Sequence, residues 1–248
     1  MIGNQHRSGN KSRLSPTMNL RPLIAEAIGT MTLILVGVMA ISVGKFAYND
    51  SGLVGIALAH GIAIAVMVSA TAAISGGHLN PAVTLGLWVA KKIDSKLAGL
   101  YIISQLIGAS IGAILGKIML PSTLGNPNLL GIPALHQAVS PLQGSLLEAV
   151  GTFFLIFVVL GTAVDSKAPR VGGLFIGLTL TMDILWYGPL TGAAINPARW
   201  FGPALITGNF SNAEVWTIGP IIGGMLAGAI YQYLWSPQPS IEPAVNMA

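Results

Sequence analysis

Six long apolar stretches dominate this sequence and restrict what it can fold into. Each is close to the roughly 20 residues that a helix needs to cross the hydrocarbon core of a bilayer. Hydrophobic residues make up 53% of the chain and charged residues only 8%, which is about a third of the charge of a soluble domain. These features predict a multi-pass, all-α membrane protein, with spans at about Leu20–Val43, Leu53–Ile74, Leu97–Met119, Ser145–Val164, Val171–Tyr187 and Val215–Leu234.

Two further apolar segments are too short to span a bilayer, and each begins with the same three residues. Asn80-Pro81-Ala82 starts the first, which ends near Ala90, and Asn196-Pro197-Ala198 starts the second. Asn is a good helix N-cap, and Pro suits the first helical position because its missing N–H would be unpaired there. Both segments are therefore predicted to be re-entrant half-helices with their positive N-termini at mid-membrane.

The two halves of the chain resemble each other. Residues 25–30, AEAIGT, match residues 147–152, LEAVGT, and the two Asn-Pro-Ala copies match further along. Three spans per half is an odd number, so the second half must enter the membrane from the opposite side, as an inverted repeat. The predicted organisation is a tail at 1–19, a channel domain at 20–235 and a tail at 236–248. Within the domain, the repeats cover about 20–119 and 144–235, and the linking loop is 120–143.

Basic residues predict the orientation of the spans. Most of them precede the first, third or fifth span, and these three places lie on one side of a six-span protein. Because cytoplasmic loops carry an excess of Lys and Arg, both termini are predicted to be cytoplasmic. The residues concerned are Arg7, Lys11, Arg13, Arg21, Lys91, Lys92, Lys96, Lys167 and Arg170, whereas Lys45, Lys117 and Arg199 lie elsewhere.

The motifs together resemble those of the aquaporin, or major intrinsic protein, family. They are one Glu in the first span of each half, Glu26 and Glu148, the segment SGGHLNPAVT at 75–84 and the segment TGAAINPAR at 191–199. The resemblance covers about residues 20–235. It implies a right-handed bundle of six spans and two half-helices, one pore per chain and a homotetramer. It also implies water and small neutral solutes as partners, besides the lipid bilayer. The small formal charge of +4 does not suggest nucleic-acid binding.

Asn80 and Asn196 are predicted to line the centre of the pore. Each side-chain amide can donate to a passing water, and a water oriented by two such donors does not pass a proton along the file. The alternative is that both act only as N-caps. Arg199 is a costly cation inside a membrane unless it has a role, and it is predicted to repel cations and hydronium. Its alternative role is to bond loop carbonyls.

The resemblance places three more residues beside Arg199 in a selectivity filter: His60, Ile184 and Ala193. This set is similar to the filters of plant tonoplast intrinsic proteins and their animal relatives. Small Ala193 and apolar Ile184 predict a wider opening than that of a strict water channel, so ammonia or hydrogen peroxide is expected to pass as well as water. A purely structural histidine is the alternative for His60. In the linking loop, His136 either reaches the filter arginine or is an ordinary exposed side chain.

Three carboxylates lie inside predicted spans. Glu26 and Glu148 are predicted to accept backbone N–H groups from the loop before each half-helix, since such groups find no water in the membrane. A proton-carrying or catalytic role is the alternative. Asp183 must be paired or protonated at its depth, and either His60 or a backbone donor could be its partner.

The predicted function is a passive channel for water and small uncharged solutes that excludes protons and ions. A glycerol or urea facilitator of the same fold is the nearest alternative, followed by a proton-coupled transporter. An enzyme is not expected, because the sequence has no nucleophile–base constellation, and neither a cofactor nor a metal is expected. The predicted location is the plasma membrane, with the vacuolar membrane as the alternative if the source is a plant.

Overall fold

The structure is a computed structural model that describes residues 19–43, 52–121, 130–164 and 171–235. These residues form six long helices, each apolar and long enough to cross a membrane, and two short ones. Residues 1–18 and 236–248 of the predicted tails, and the residues Lys45, Lys167 and Arg170, lie outside the described residues. The helices are α1 (Arg21–Val43), α2 (Gly52–Ser75), α3 (Pro81–Val89), α4 (Ser95–Met119), α5 (Pro141–Val159, continued by a π-helical turn at Leu160–Val164), α6 (Gly172–Thr191), α7 (Pro197–Thr207) and α8 (Ala213–Trp235).

The two short helices, α3 and α7, are the predicted half-helices. Asn80 caps α3 and Asn196 caps α7, each with extended backbone and a side-chain oxygen that accepts backbone N–H groups. At 1.5 Å per residue the helices are only about 14 and 17 Å long, roughly half the hydrocarbon thickness of a bilayer. Both short helices are followed by a residue with left-handed backbone, which ends the helix: Lys91 (φ 58°) after α3 and Gly208 (φ 72°) after α7.

The packing follows the internal repeat. In the first half α1 packs against α4, and in the second half α5 packs against α8 in the corresponding way. The middle spans, α2 and α6, pack against each other across the two halves. Each half-helix contacts the last span of the other half, α3 against α8 and α7 against α4. This exchange joins the halves into a single bundle with the two half-helix N-termini at its centre.

Glycines allow the long helices to approach closely at equivalent places in the two halves. A Cβ on Gly108 of α4 would collide with the carbonyl of Ala27, and a Cβ on Gly223 of α8 would collide with that of Ala149. Ala27 and Ala149 are equivalent residues of the repeat. Small residues at such crossings are a common means of association between membrane helices.

Replacing Gly108 by Ala is therefore expected to destabilise the bundle. The added methyl group would push α4 away from backbone atoms of α1, and overpacking of this kind costs roughly 1–3 kcal/mol. Reversible unfolding in mixed micelles would measure the change in the free energy of unfolding. Gly99→Ala is the matched control on the same helix, because nothing lies within 4 Å of a Cβ there. Equal stability of the two variants would contradict the prediction.

Candidate channel pore

The first re-entrant loop, residues 76–79, is held by the carboxylate of Glu26. Its Oε1 accepts from the N–H of His78 (3.0 Å) and the hydroxyl of Ser75 (2.6 Å), and its Oε2 accepts from the N–H of Leu79 (2.7 Å). Buried backbone N–H groups have no water to bond in a membrane, so the carboxylate supplies the acceptors that the loop needs.

The second re-entrant loop, residues 192–195, repeats this arrangement with Glu148. Its Oε1 accepts from the N–H of Ala194 (2.9 Å) and the hydroxyl of Thr191 (2.6 Å), and its Oε2 accepts from the N–H of Ile195 (2.6 Å). The backbone just before each asparagine is left-handed in both loops, with φ 51° at Leu79 and 42° at Ile195. The two halves thus present their half-helices through the same local structure.

Asn80 and Asn196 connect the two loops at the centre of the bundle. The side-chain oxygens accept from the N–H groups of Ala82 (2.8 Å) and Ala198 (3.0 Å). The side-chain amides donate to the carbonyls of the opposite loop, Asn80 to Ile195 (2.8 Å) and Asn196 to Leu79 (3.0 Å). One N–H of each amide is used in this link. Both asparagines also line a central cavity, so capping and lining occur in the same residues.

Three adjoining cavities follow one another through the described part of the bundle. The central cavity is lined by both asparagines and by a majority of apolar residues. The cavity beside residues 131–134 of the linking loop, called the outer cavity here, shares His60 and Arg199 with the central one. The cavity beside Lys92, called the inner cavity, shares His78 with the central one. The apolar residues of the central wall include Leu33, Ile64, Val68, Leu155, Val159, Ile176 and Leu180.

The four predicted filter residues surround the junction of the central and outer cavities. His60 and Arg199 line both cavities, Ala193 lines the central one and Ile184 the outer one. The Nδ1 atom of His60 lies 2.8 Å from the carbonyl oxygen of Ile56. A carbonyl can only accept, so Nδ1 carries a hydrogen and Nε2 is left as the acceptor of the neutral ring.

Arg199 is held by the loop between the two halves. Its Nη1 donates to the carbonyl of Gly131 (3.1 Å), and only 6% of its surface is exposed. His136 of the same loop is exposed, and its Nδ1 accepts from the N–H of Ala138 (3.2 Å). The loop therefore reaches Arg199 through the backbone of Gly131, and the imidazole of His136 lies elsewhere.

Asp183 and Trp200 lie behind the cavities. Asp183 is fully buried, and its Oδ1 accepts from the indole of Trp186 (3.1 Å), a partner that the sequence did not indicate. Trp200 of α7 packs with Ala194 and Trp216 in an apolar cluster. Neither residue lines the three cavities.

One polar residue that braces the first loop, Gln105, was not predicted from the sequence. Gln105 of α4 donates to Glu26 (2.8 Å) and to the hydroxyl of Thr84 (2.9 Å). That hydroxyl lies 3.1 Å from Nδ1 of His78, whose ring is packed edge-on against Tyr101. A glutamine inside a span needs a polar partner. Its position within the third span was therefore the one feature of the sequence that could have indicated this role.

The sequence of the chain can now be compared with known proteins. The chain matches the family described as Major intrinsic protein over residues 13–231. The chain belongs to this family. It is 40% identical over 243 residues to aquaporin TIP4-4 from Zea mays, covering 95% of this chain and 94% of the relative. It is 42% identical over 222 residues to probable aquaporin TIP2-1 from Oryza sativa subsp. japonica, covering 86% and 87%.

A solved structure confirms the fold. The X-ray structure of the aquaglyceroporin from Plasmodium falciparum superposes with a TM-score of 0.75 at 23% sequence identity, covering 87% of this chain and 95% of that one. The family and the TIP-like resemblance predicted from the motifs are thus confirmed, and so is the fold of six spans and two half-helices. The protein is an integral membrane protein of a channel family. The predicted plasma-membrane location finds no support among these TIP-type relatives.

Proposed function

We propose that the protein is a passive channel for water and small uncharged solutes, such as ammonia or hydrogen peroxide, that excludes protons and ions. The pair of asparagines carries this proposal. Asn80 and Asn196 face one cavity from the N-termini of two half-helices, and each uses one amide N–H to hold the opposite loop. The second N–H of each remains for a solute oxygen, at the point where the two positive helix ends meet.

Exclusion of protons follows from this geometry. A water that accepts from both asparagines must point its own hydrogens along the pore axis, away from the centre in both directions. The apolar side chains of the same cavity, among them Val68, Leu155 and Ile176, offer no alternative partner, so a proton has no continuous chain of acceptors to follow. The half-helix ends add about half a positive charge each, which raises the cost for any cation.

The width and polarity of the opening decide which solutes enter. Ala193 is small and Ile184 is apolar, so the polar side chains among the four are the imidazole of His60 and the guanidinium of Arg199. A small solute that both donates and accepts hydrogen bonds can use both groups. Water, ammonia and hydrogen peroxide fit this description, whereas an ion loses more hydration than two groups can replace.

Stopped-flow light scattering of proteoliposomes tests this proposal. Purified protein in vesicles should accelerate shrinkage after an impermeant osmotic step, with a low activation energy, and glycerol uptake should remain small. Comparable glycerol or urea uptake would instead establish a facilitator, and flux that saturates or follows a pH gradient would establish a coupled transporter. Vesicles that shrink no faster than empty ones, with the protein shown to be folded, would refute a water channel.

Enlarging Ala193 is expected to sharpen selectivity. In Ala193→Leu the longer side chain would narrow the junction, and discrimination by a single pocket contact is roughly 10-fold or more. The ratio of ammonia or glycerol permeability to water permeability should fall, measured in the same vesicles. Ala138→Leu, in the exposed part of the linking loop, is the matched control and should leave the ratio unchanged. An unchanged ratio in Ala193→Leu would remove this residue from the proposed filter.

Mercurial compounds are expected to have no effect on water flow. The chain has no cysteine, and the position of Ala193 offers no thiolate for mercury to bind. Water permeability measured before and after mercuric chloride should therefore agree. Inhibition that a thiol reagent reverses would contradict this expectation.

The assembly and orientation are further parts of the proposal. We propose a homotetramer with both termini in the cytoplasm. Because the relatives from Zea mays and Oryza sativa are TIP-type aquaporins, we propose the vacuolar membrane as its location if the source is a plant. The apolar outer faces of the long helices support a membrane-embedded assembly, and the exposed side chains Lys91, Lys92 and Lys96 share one end of the bundle. Native mass spectrometry would measure the oligomeric state, and a fluorescent fusion would locate the membrane.

A further inference from the structure

We propose that Trp216 is a positioning residue for the second re-entrant loop, and that Tyr101 is its counterpart for the first. Trp216 of α8 donates its indole N–H to the carbonyl of Thr191 (3.0 Å), and Tyr101 of α4 donates its hydroxyl to the carbonyl of Ser75 (2.8 Å). Neither residue lines the central cavity beside Asn80 and Asn196. Both act through the backbone of the helix end from which the loop departs.

The two anchors occupy equivalent places in the repeat. Tyr101 precedes Gly108 by seven residues, and Trp216 precedes Gly223 by seven. Those two glycines meet equivalent carbonyls in the two halves. One side chain is a phenol and the other is an indole. The two halves therefore share an aromatic hydrogen-bond donor at the same level of the helix, although the residue type differs.

The carbonyls that they bind are at the ends of helices. Ser75 is the last residue of α2 and Thr191 is the last residue of α6. Carbonyls in the last turn of a helix have no partner within it, and leaving one unpaired inside a membrane is costly. Directly after each carbonyl the chain turns through a left-handed glycine, with φ 90° at Gly76 and 87° at Gly192. The anchor therefore fixes the direction in which the chain leaves the helix.

The second loop depends on its anchor more than the first. Four residues after Tyr101 stands Gln105, which adds a hydrogen bond to Glu26. Four residues after Trp216 stands Pro220, whose side chain has no donor, so this level of α8 offers Glu148 nothing equivalent. Among the described contacts, the second loop is thus held by Glu148, by the link to Asn80 and by Trp216.

The consequence concerns selectivity, and it rests on the proposed function. Ala193 lies two residues beyond Thr191, and its N–H donates to the hydroxyl of Thr191 (3.1 Å). A displaced Thr191 would carry Ala193 with it and would change the width of the junction beside Arg199. Loss of the indole N–H should therefore loosen solute selection, whereas water flow continues.

Two substitutions that differ by one hydroxyl test the inference. Trp216→Phe removes the donor, whereas Trp216→Tyr restores a phenol of the kind that Tyr101 uses. Trp200→Phe is the matched control, because this indole lies in the same apolar cluster and its N–H is buried with no partner among the described residues. Each variant would be measured for hydrogen–deuterium exchange at 192–195 and for the ratio of glycerol to water permeability.

We expect Trp216→Phe to speed exchange in the loop by roughly tenfold, the effect of one lost hydrogen bond, and to raise the permeability ratio. Trp216→Tyr should return both values toward wild type, and Trp200→Phe should change neither. Equal behaviour of the Phe and Tyr variants, or no change in Trp216→Phe, would overturn the inference. If the wild-type protein fails to conduct water, the proposed function falls, but the exchange result still decides the role of Trp216.

A second pair of variants serves if Trp216→Phe does not assemble. Tyr101→Phe removes the hydroxyl that binds Ser75, and Tyr187→Phe removes a buried hydroxyl that has no partner among the described residues. Faster exchange at 76–79 in Tyr101→Phe, with no change in Tyr187→Phe, supports paired anchors. No difference between these two variants overturns them.

Discussion

Replacing Glu148 by Gln is expected to lower the free energy of unfolding by roughly 1–3 kcal/mol, the cost of leaving a buried donor without a partner. The carboxylate accepts from Thr191, Ala194 and Ile195. An amide at this place has only one oxygen, and its NH2 group would face a backbone N–H or a hydroxyl. At least one buried donor is then left without a partner, in an interior that contains no substitute.

Thermal unfolding of the purified variant in detergent, followed by size-exclusion chromatography, would measure this loss. Glu214→Gln is the control, because Glu214 is exposed in the first turn of α8 and its loss should leave stability within about 0.5 kcal/mol of wild type. Glu26→Gln should behave like Glu148→Gln. A variant at Glu148 as stable as the control would show that the loop does not need the carboxylate.

Replacing Arg199 by Gln should raise proton leakage through the channel by roughly a hundredfold. Two unit charges about 5 Å apart interact with about 3 kcal/mol at an effective dielectric constant of about 20, which corresponds to this factor. Gln keeps a hydrogen-bond donor near the Gly131 carbonyl but carries no charge. The change therefore isolates electrostatic repulsion from the loss of a side chain.

Vesicles loaded with a pH-sensitive dye and exposed to a pH step would measure the leakage. Arg199→Lys is the matched variant, since it keeps the charge and should exclude protons much as the wild type does, although it presents no planar guanidinium to the solute. If Arg199→Gln excludes protons as well as Arg199→Lys, the half-helix ends and the two asparagines alone would account for exclusion.

The spans were predictable because a bilayer imposes length and composition together. The ends of the spans were harder to predict, because a hydropathy pattern does not reveal a polar first turn that a capping residue stabilises. Helix α4 begins at Ser95 rather than Leu97, because Asp94 caps it, and α5 begins at Pro141 rather than Ser145, because Ser140 and Gln143 form a capping box. Helix α6 continues past Tyr187 to Thr191 despite Pro189, because Gly192 is the residue that ends it.

The polar residues of the site were predictable for the same reason. An Asn, Arg, Glu or His inside an apolar stretch is costly, so it stands out in the sequence and calls for a role. Asn80, Asn196, His60 and Arg199 all line the cavities. His136, by contrast, lies in a polar loop where a histidine is unremarkable, and neither its spacing nor its chemistry could show that its ring is exposed and accepts from Ala138.

The spans, the half-helices, the inverted repeat and most polar groups at the centre can be recognised in the amino-acid sequence. The partners that those groups bind are known only from the folded chain. Arg199 meets the carbonyl of Gly131, Trp216 that of Thr191, and the amide of Asn80 that of Ile195. The physical reason is that these partners are backbone carbonyls, which every residue possesses, so no sequence pattern distinguishes the one that the fold brings into reach.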